Sequence, residues 1–296
     1  MNNNKTTKAL ALPTRSTWIG PAAFALLAFA ANSLFCRLAL VSGGIDLHSF
    51  TAVRLASGAA FLLCLVRWRQ PGKSVGGHWK GGVALFLYAW LFSIAYVQLG
   101  AGVGALILFG AVQITMFACS WLKGDRVQPR VLAGMLIAFA GLIALLLPGA
   151  NAPAAASALI MVISGIAWGA YSLIGKGSTN PLADTAGNFL RSLPLLLIPA
   201  GAAVFAGHAN ISVPGLLYAL GSGVLASGAG YAVWYGVLKQ ISAQQAATLQ
   251  LSVPVIAALG GVMLLSEPLS LRLVGTSVVV LGGVGMALSG RKVKAM

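Results

Sequence analysis

The 296 residues are 58% hydrophobic and only 8% charged. A water-soluble surface needs roughly a quarter of its residues charged, so lipid must be the solvent for most of this one. The net charge is +15, from 19 Lys and Arg against 4 Asp and Glu. These basic residues are scattered among short connections, which argues against nucleic-acid binding and for loops held against anionic lipid.

The chain opens with a polar, basic tail over residues 1–16, in which no cleavable signal is evident. Ten apolar runs of bilayer-spanning length follow, at roughly 17–40, 48–67, 79–98, 102–122, 129–147, 155–176, 183–206, 213–238, 243–264 and 270–289. A short basic tail, 291–296, ends the chain. The first run carries Asn32 at its middle and the second carries Arg54. In the third, Tyr88, Phe92 and Tyr96 recur every four residues and share one helix face. The fourth holds Gln113, and the sixth repeats an aromatic face with Ser164, Trp168 and Tyr171. Tyr231, Trp234 and Tyr235 cluster in the eighth, and Gln250 and Pro254 lie in the ninth. Cys36, Cys64 and Cys119 lie inside apolar runs at no metal or redox spacing, and read as packing residues. No nucleotide loop is present: the position five residues before the Gly175-Lys176 pair is Ala170, not glycine, so ATP drive has no support.

Basic residues orient the chain. With the amino terminus in the cytoplasm, sixteen Lys and Arg fall on the cytoplasmic side and three, Arg37, Arg54 and Arg272, on the other. Both termini are therefore expected to be cytoplasmic. The two halves also repeat. At a constant offset of 142, Gly124-Asp125-Arg126 and Arg130 fall on Ser266-Glu267-Pro268 and Arg272, Gly141 on Gly283, and Ala105 on Ala247. Upstream, Phe29 to Arg37 is similar to Trp168 to Lys176, and Thr51-Ala52 to Thr185-Ala186. Five spans per copy is an odd number, so the second copy enters from the opposite side. The expectation is an all-α membrane protein of ten transmembrane helices in two inverted five-helix repeats, 17–147 and 155–290. Such designs carry their site near the midplane between the copies.

Polar groups in hydrocarbon need a partner or a wet cavity. Asn32 either bonds a neighbouring helix or lines a cavity. Arg54 either attracts a carboxylate, or it snorkels outward or pairs with Asp46. Tyr88 and Trp168 lie too near the middle of their spans for an interfacial belt, so they are candidates to line a cavity, with Tyr96, Tyr171 and Trp234 beside them. Pro254 has no N–H, which frees the carbonyl of Gln250. That carbonyl and the Gln250 amide suit ammonium and carboxylate groups, unless the proline only kinks the helix for packing. Gln113 is a further candidate. All four acids, Asp46, Asp125, Asp184 and Glu267, lie in loops or at helix ends. No midplane carboxylate is there to carry a proton or sodium ion, which favours facilitated transport. His48, His78 and His208 lie near membrane surfaces, which disfavours an intramembrane enzyme.

Two repeats, each ending in a hairpin with an acidic residue (Gly124-Asp125 and Ser266-Glu267-Pro268), resemble the EamA-type members of the drug/metabolite transporter superfamily. Trp168-Gly169 to Lys176 and Ala246-Ala247-Thr248 to Pro254 add to the resemblance. Within the superfamily the chain is most similar to the exporters of aromatic amino acids. The resemblance implies a multi-pass carrier in a bacterial inner membrane, exporting small metabolites, amino acids first, by alternating access. It implies no enzyme activity, no cofactor and no metal. The lipid bilayer and a small-molecule substrate are its expected partners, and the fold enclosing its own cavity suggests a monomer. The alternatives are a proton-coupled exporter of drugs, purines or nucleosides and, more distantly, an intramembrane enzyme or a channel. Two departures stand out: Val112 where the second repeat has Pro254, and Phe29 where it has Trp168.

Overall fold

A backbone in hydrocarbon has no water to bond, so a single segment can satisfy its amides and carbonyls only by coiling. The computed structural model describes residues 18–41, 44–124, 128–147, 152–175, 177–205, 210–241, 246 and 249–289. Both terminal tails, and Asp125, Arg126, Lys176, His208, Ala247 and Thr248, lie outside these residues. The chain runs α1 (Ile19–Val41), α2 (Leu47–Arg69), α3 (Trp79–Tyr96), α4 (Ala101–Leu122), α5 (Pro129–Leu146) and α6 (Ala155–Gly175). It continues with α7 (Pro181–Ser192), α8 (Leu197–Phe205), α9 (Val213–Leu238), α10 (Ser252–Leu265) and α11 (Leu271–Leu288). Among the described residues there is no β-strand, and a single antiparallel bridge joins Ile45 to Ile211.

Seven helices, α1, α2, α4, α5, α6, α9 and α11, are long and apolar enough to cross a bilayer. The ten apolar runs thus appear as seven helices of spanning length and several shorter or more polar ones, and prolines explain two of the differences. The run expected over 183–206 is two helices, because the chain takes a 3-10 turn at Pro194–Leu196 where proline cannot continue the ladder. The ninth run is broken before Pro254: Gln250 is helical, Leu251 is a turn, and α10 starts at Ser252. The Ser252 hydroxyl donates to the Leu249 carbonyl at 2.7 Å, taking up one of the acceptors released there.

The helix starts are written locally. Asp46 caps α2 by accepting from the amides of His48 and Ser49, and Ser212 and Ser270 cap α9 and α11 in the same way. Pro129 and Pro181 occupy first-turn positions, where the missing N–H costs nothing.

The packing pairs exchange when each helix of the first half is replaced by its counterpart in the second. α3 and α4 both pack on α6, as α9 and α10 both pack on α1. α3 packs on α7 as α9 packs on α2, while α2 with α7, α4 with α10 and α5 with α11 pair with each other. Two side-chain bonds follow the same exchange: Thr51 of α2 donates to Ser93 of α3 at 2.8 Å, and Thr185 of α7 to Tyr235 of α9 at 3.1 Å.

The α5–α11 pair is the most intimate. A Cβ added at Gly134 would lie 2.5 Å from the Gly283 carbonyl oxygen, and one at Gly283 would lie 2.6 Å from that of Gly134. Only glycine allows backbones this close. Leu136, Phe139, Val274 and Val278 meanwhile turn outward, an apolar exposure that suits lipid. Gly283→Val is expected to cost roughly 1–3 kcal/mol by overpacking. Gly282→Ala, with nothing within 4 Å of the new methyl, should be neutral or slightly stabilising. Thermal unfolding in detergent measures both, and equal melting temperatures for the two variants would refute the close-contact account.

Candidate functional site

A small cavity opens at the centre of the bundle, where the two halves meet. Phe29, Asn32 and Ser33 reach it from α1, Tyr88 and Phe92 from α3, and Leu108 and Phe109 from α4. Trp168 comes from α6, Ala226, Ser227 and Tyr231 from α9, and Gln250 stands just before α10. The space left for water centres is about 30 Å³, room for only a few waters. Any larger molecule can enter only if the walls part.

Its aromatic wall is built around Trp168. The indole lies 4.6 Å from the ring of Tyr88, 5.2 Å from Tyr231 and 5.3 Å from Tyr171. Phe29 completes the group at 5.7 Å from Tyr231. The wall keeps the repeat: Phe29 occupies the position of Trp168, and each meets a tyrosine of the helix that packs on it.

Its polar wall is built around the Tyr88 hydroxyl. That oxygen accepts from Asn32 Nδ2 at 3.2 Å and from Arg54 Nη2 at 3.0 Å. Asn32 Oδ1 accepts in turn from the Ser222 hydroxyl of α9 at 2.6 Å. The Ser164 hydroxyl donates to the Tyr88 carbonyl at 2.9 Å and fastens α6 to α3. Arg54 stands directly behind this wall, only 1% exposed. Its Nε reaches Ser227 Oγ at a long 3.4 Å, and its guanidinium carbon lies 5.2 Å from the Tyr88 ring centre and 4.9 Å from that of Phe92. Nη1 has no hydrogen-bond partner.

Arg54 therefore neither snorkels to the surface nor pairs with Asp46, whose carboxylate is occupied by the amides of His48, Ser49 and Asn210. Four of the ten candidates, Asn32, Tyr88, Trp168 and Gln250, line the cavity. Tyr171 packs behind Trp168, and Trp234 lies edge-on to Phe29 at 5.8 Å. Tyr96 is turned away from the cavity, and its hydroxyl donates to the Ala101 carbonyl at 3.2 Å under Gly104. Gln113 lies one turn beyond Phe109 on α4, half-buried and outside the wall. Pro254 is buried within the first turn of α10 and acts through the break that presents Gln250. Sequence reasoning missed Phe29, Ser33, Leu108, Phe109, Ala226 and Ser227 as site residues, and saw Phe92 and Tyr231 only as members of aromatic faces. Phe29 could have been found as the repeat partner of Trp168. Ala226 and Ser227 lie in a π-helical stretch of α9, Gly221–Ala229, whose wider turn no apolar pattern announces.

Both ends of the cavity are tied. At one, Glu267 accepts from Arg37 Nε at 3.1 Å and from the first amide of α4, Ala101, at 2.7 Å. Arg37 also donates to the Tyr96 and Val97 carbonyls at the end of α3. Nearby, Asp46 and Gly44 exchange backbone bonds with Asn210 and Ser212 across the Ile45–Ile211 bridge. At the opposite end the α2–α3 connection is clasped by α7. The Gly77 amide donates to Asp184 at 2.8 Å, the His78 amide to Asn188 at 3.0 Å, and Arg191 to the Gly76 carbonyl at 2.7 Å. Gln70 and Asn180 bond each other at 2.6 and 3.2 Å.

Apolar helices of spanning length around an enclosed aromatic and polar centre make this a multi-pass membrane protein. Residues 155–289 match the model of the EamA-like transporter family. An uncharacterized protein of Pseudomonas aeruginosa is 52% identical over 271 residues, covering 90% of this chain and 93% of its own. Two uncharacterized transporters of Archaeoglobus fulgidus are 27% and 25% identical, covering 74% and 83% of this chain and 78% and 88% of their own. A crystal structure of a protein 20% identical shares the fold with a TM-score of 0.65, over 93% of this chain and 98% of that one. Residues 155–289 thus form an EamA-like transporter domain, of the drug/metabolite transporter superfamily.

The tie at Asp46 gives a pH signature. Burial pushes its carboxyl up, but the hydrogen bonds from Ser49, Asn210 and His48 outweigh burial and hold it below the ordinary carboxylate value. A depressed folded pKa contributes stability that is present above the unfolded pKa of about 4 and is lost as pH falls through the folded value. Asp46→Ala is expected to lose about 1 kcal/mol at pH 7 with the cap. Asp46→Asn should keep most of that cap and show a shallower loss of stability below about pH 4. An acid limb in Asp46→Asn as steep as the native one, followed by thermal unfolding against pH, would remove Asp46 as its source.

Proposed function

We propose that the chain exports small metabolites by alternating access, with the central cavity as the substrate site. The observation that carries this reading is the cavity's position. It lies where the two exchangeable halves meet, walled by six helical stretches that bring aromatic rings and hydrogen-bonding side chains to one point. In this reading the chain crosses the membrane ten times, α7 and α8 forming one bent span and α10 with the residues before it another. The halves are inverted five-helix repeats and rock about the cavity. Both termini are cytoplasmic, and the end closed by Arg37 and Glu267 faces away from the cytoplasm. The protein works as a monomer in a bacterial inner membrane.

Aromatic and other neutral amino acids are the first cargo to test. Trp168, Tyr88 and Tyr231 suit an apolar or aromatic side chain, while Asn32, Gln250 and the Tyr88 hydroxyl suit polar tips. Our reading of the sequence as most like the aromatic amino-acid exporter YddG motivates the same choice. Facilitated uniport is favoured over proton coupling by the placement of the described acids. Asp46 caps α2, Asp184 lies in the first turn of α7, and Glu267 lies between α10 and α11. No carboxylate is among the residues that line the cavity.

Liposomes containing the purified chain test the site. Trp168→Ala and Gln250→Ala are expected to abolish saturable uptake of labelled aromatic amino acids, with circular dichroism and gel filtration unchanged. Native uptake in both variants sinks this site.

A further inference from the structure

The charge balance of the cavity favours, over the zwitterionic amino acid proposed above as the first cargo, an anion with the same apolar or aromatic body. This step rests on the carrier reading above. The wall and the side chain behind it hold one fixed cation, Arg54, and no acid among the residues described. The ionisable neighbours of Arg54 are a thiol, Cys36, and two phenols, Tyr88 and Tyr231. A guanidinium has five N–H donors, and the described bonds use two, one of them long. The Nη1 group is fully buried and unbonded, in a medium where an unmade charged hydrogen bond is costly. The guanidinium instead rests on the faces of Tyr88 and Phe92.

We infer that Arg54 selects cargo of net negative charge, a carboxylate on an apolar or aromatic body without an ammonium group, and that the membrane potential alone drives its export. A zwitterion leaves the loaded site with an uncompensated positive charge, whereas a monoanion brings it to zero. The ring faces of Tyr88 and Phe92, which would otherwise attract an ammonium, already hold the guanidinium. A carboxylate needs donors, and donors are in surplus. The Tyr88 hydroxyl accepts from both Asn32 and Arg54, which leaves its own proton to donate. Nη1 and the weakly held Nε stand behind it, reachable when the walls part. The same balance supplies the energy. A cell interior is negative, so an anion runs outward downhill with no coupling ion, roughly 50-fold in concentration for each 100 mV. A carrier with a buried cation and no cavity carboxylate needs nothing further to concentrate its cargo outside.

A charge series on one aromatic body tests this with the full chain in liposomes. The probes are labelled 3-phenyl-2-oxopropanoate (anion), phenylalanine (zwitterion) and phenylalaninamide (cation), each measured against protein-free liposomes with the potential set by potassium and valinomycin. The anion should be carried with a kcat/KM at least about 10-fold above the zwitterion, a difference of about 1.4 kcal/mol. Its saturable flux should accelerate toward the positive side, and the cation should not be carried. Arg54→Gln should lower anion flux about 10-fold or more and erase the preference, and Arg54→Lys should keep its sign. Phenylalanine carried as well as the anion, or anion flux indifferent to potential, overturns the inference and leaves the carrier reading standing. Absence of saturable flux for all three overturns both. The native charge series decides the matter even where Arg54→Gln fails to fold.

Discussion

The hydroxyl of Tyr88 accepts from Asn32 of α1 and Arg54 of α2, while its backbone carbonyl takes the Ser164 hydroxyl of α6. One residue of α3 thereby ties three other helices at the depth where water cannot replace a broken bond. Asn32 extends the network to Ser222 of α9, so the link crosses from the first half of the chain to the second. The members are linked in series, and among the described buried side chains the guanidinium at the end keeps a nitrogen, Nη1, with no partner. Because the cavity's polar wall is this same network, the site and the packing of the helices share one set of hydrogen bonds.

The sixteen-to-three distribution of basic residues becomes more informative once the three exceptions are placed. Arg37 binds the last carbonyls of α3 and the Glu267 carboxylate, and Arg272 binds the Ala144 and Leu147 carbonyls at the end of α5. Both complement the negative end of a helix and satisfy acceptors that have no partner within it. Arg54 is the third, buried at the site. None of the three is a loop charge facing lipid headgroups, so each departs from the distribution for a reason visible in its contacts.

The helical fold was legible because hydropathy reports the solvent directly, and lipid leaves the backbone few choices. The breaks were less legible. Pro194 lies inside an apolar run that looks continuous, and only the loss of its N–H divides the run into α7 and α8. Of the site, the residues that line it were found where chemistry and depth coincided. Tyr88 and Trp168 are large aromatics near the middle of their spans, and Asn32 and Gln250 are amides where amides are costly. Tyr96 and Trp234 were candidates as aromatics alone, nearer the ends of their spans, and they face neighbouring helices, because composition does not say which side of a buried helix meets the cavity. For Arg54, only the packing of α9 against α2, which buries it, rules out the outward fate. Gly223 of α9 lies directly against the backbone of Arg54, and Ser227 of the same stretch meets the guanidinium at Nε.

The halves share a packing plan and differ where the plan meets the site. Trp168 touches three aromatic rings where its counterpart Phe29 touches two. Regular helix in α3 is matched in α9 by a π-helical stretch, and α2, unbroken over 23 residues, is matched by the broken pair α7 and α8. The first half supplies the fixed cation on continuous helices. The second supplies the larger ring, the break before Pro254 and the irregular turns. Hydrogen bonds in π and 3-10 geometry are poorer than those of the α-helix, so bending concentrates where they occur. Bending near the cavity is therefore cheapest in the second half, at the π-helical stretch of α9 and the break before α10.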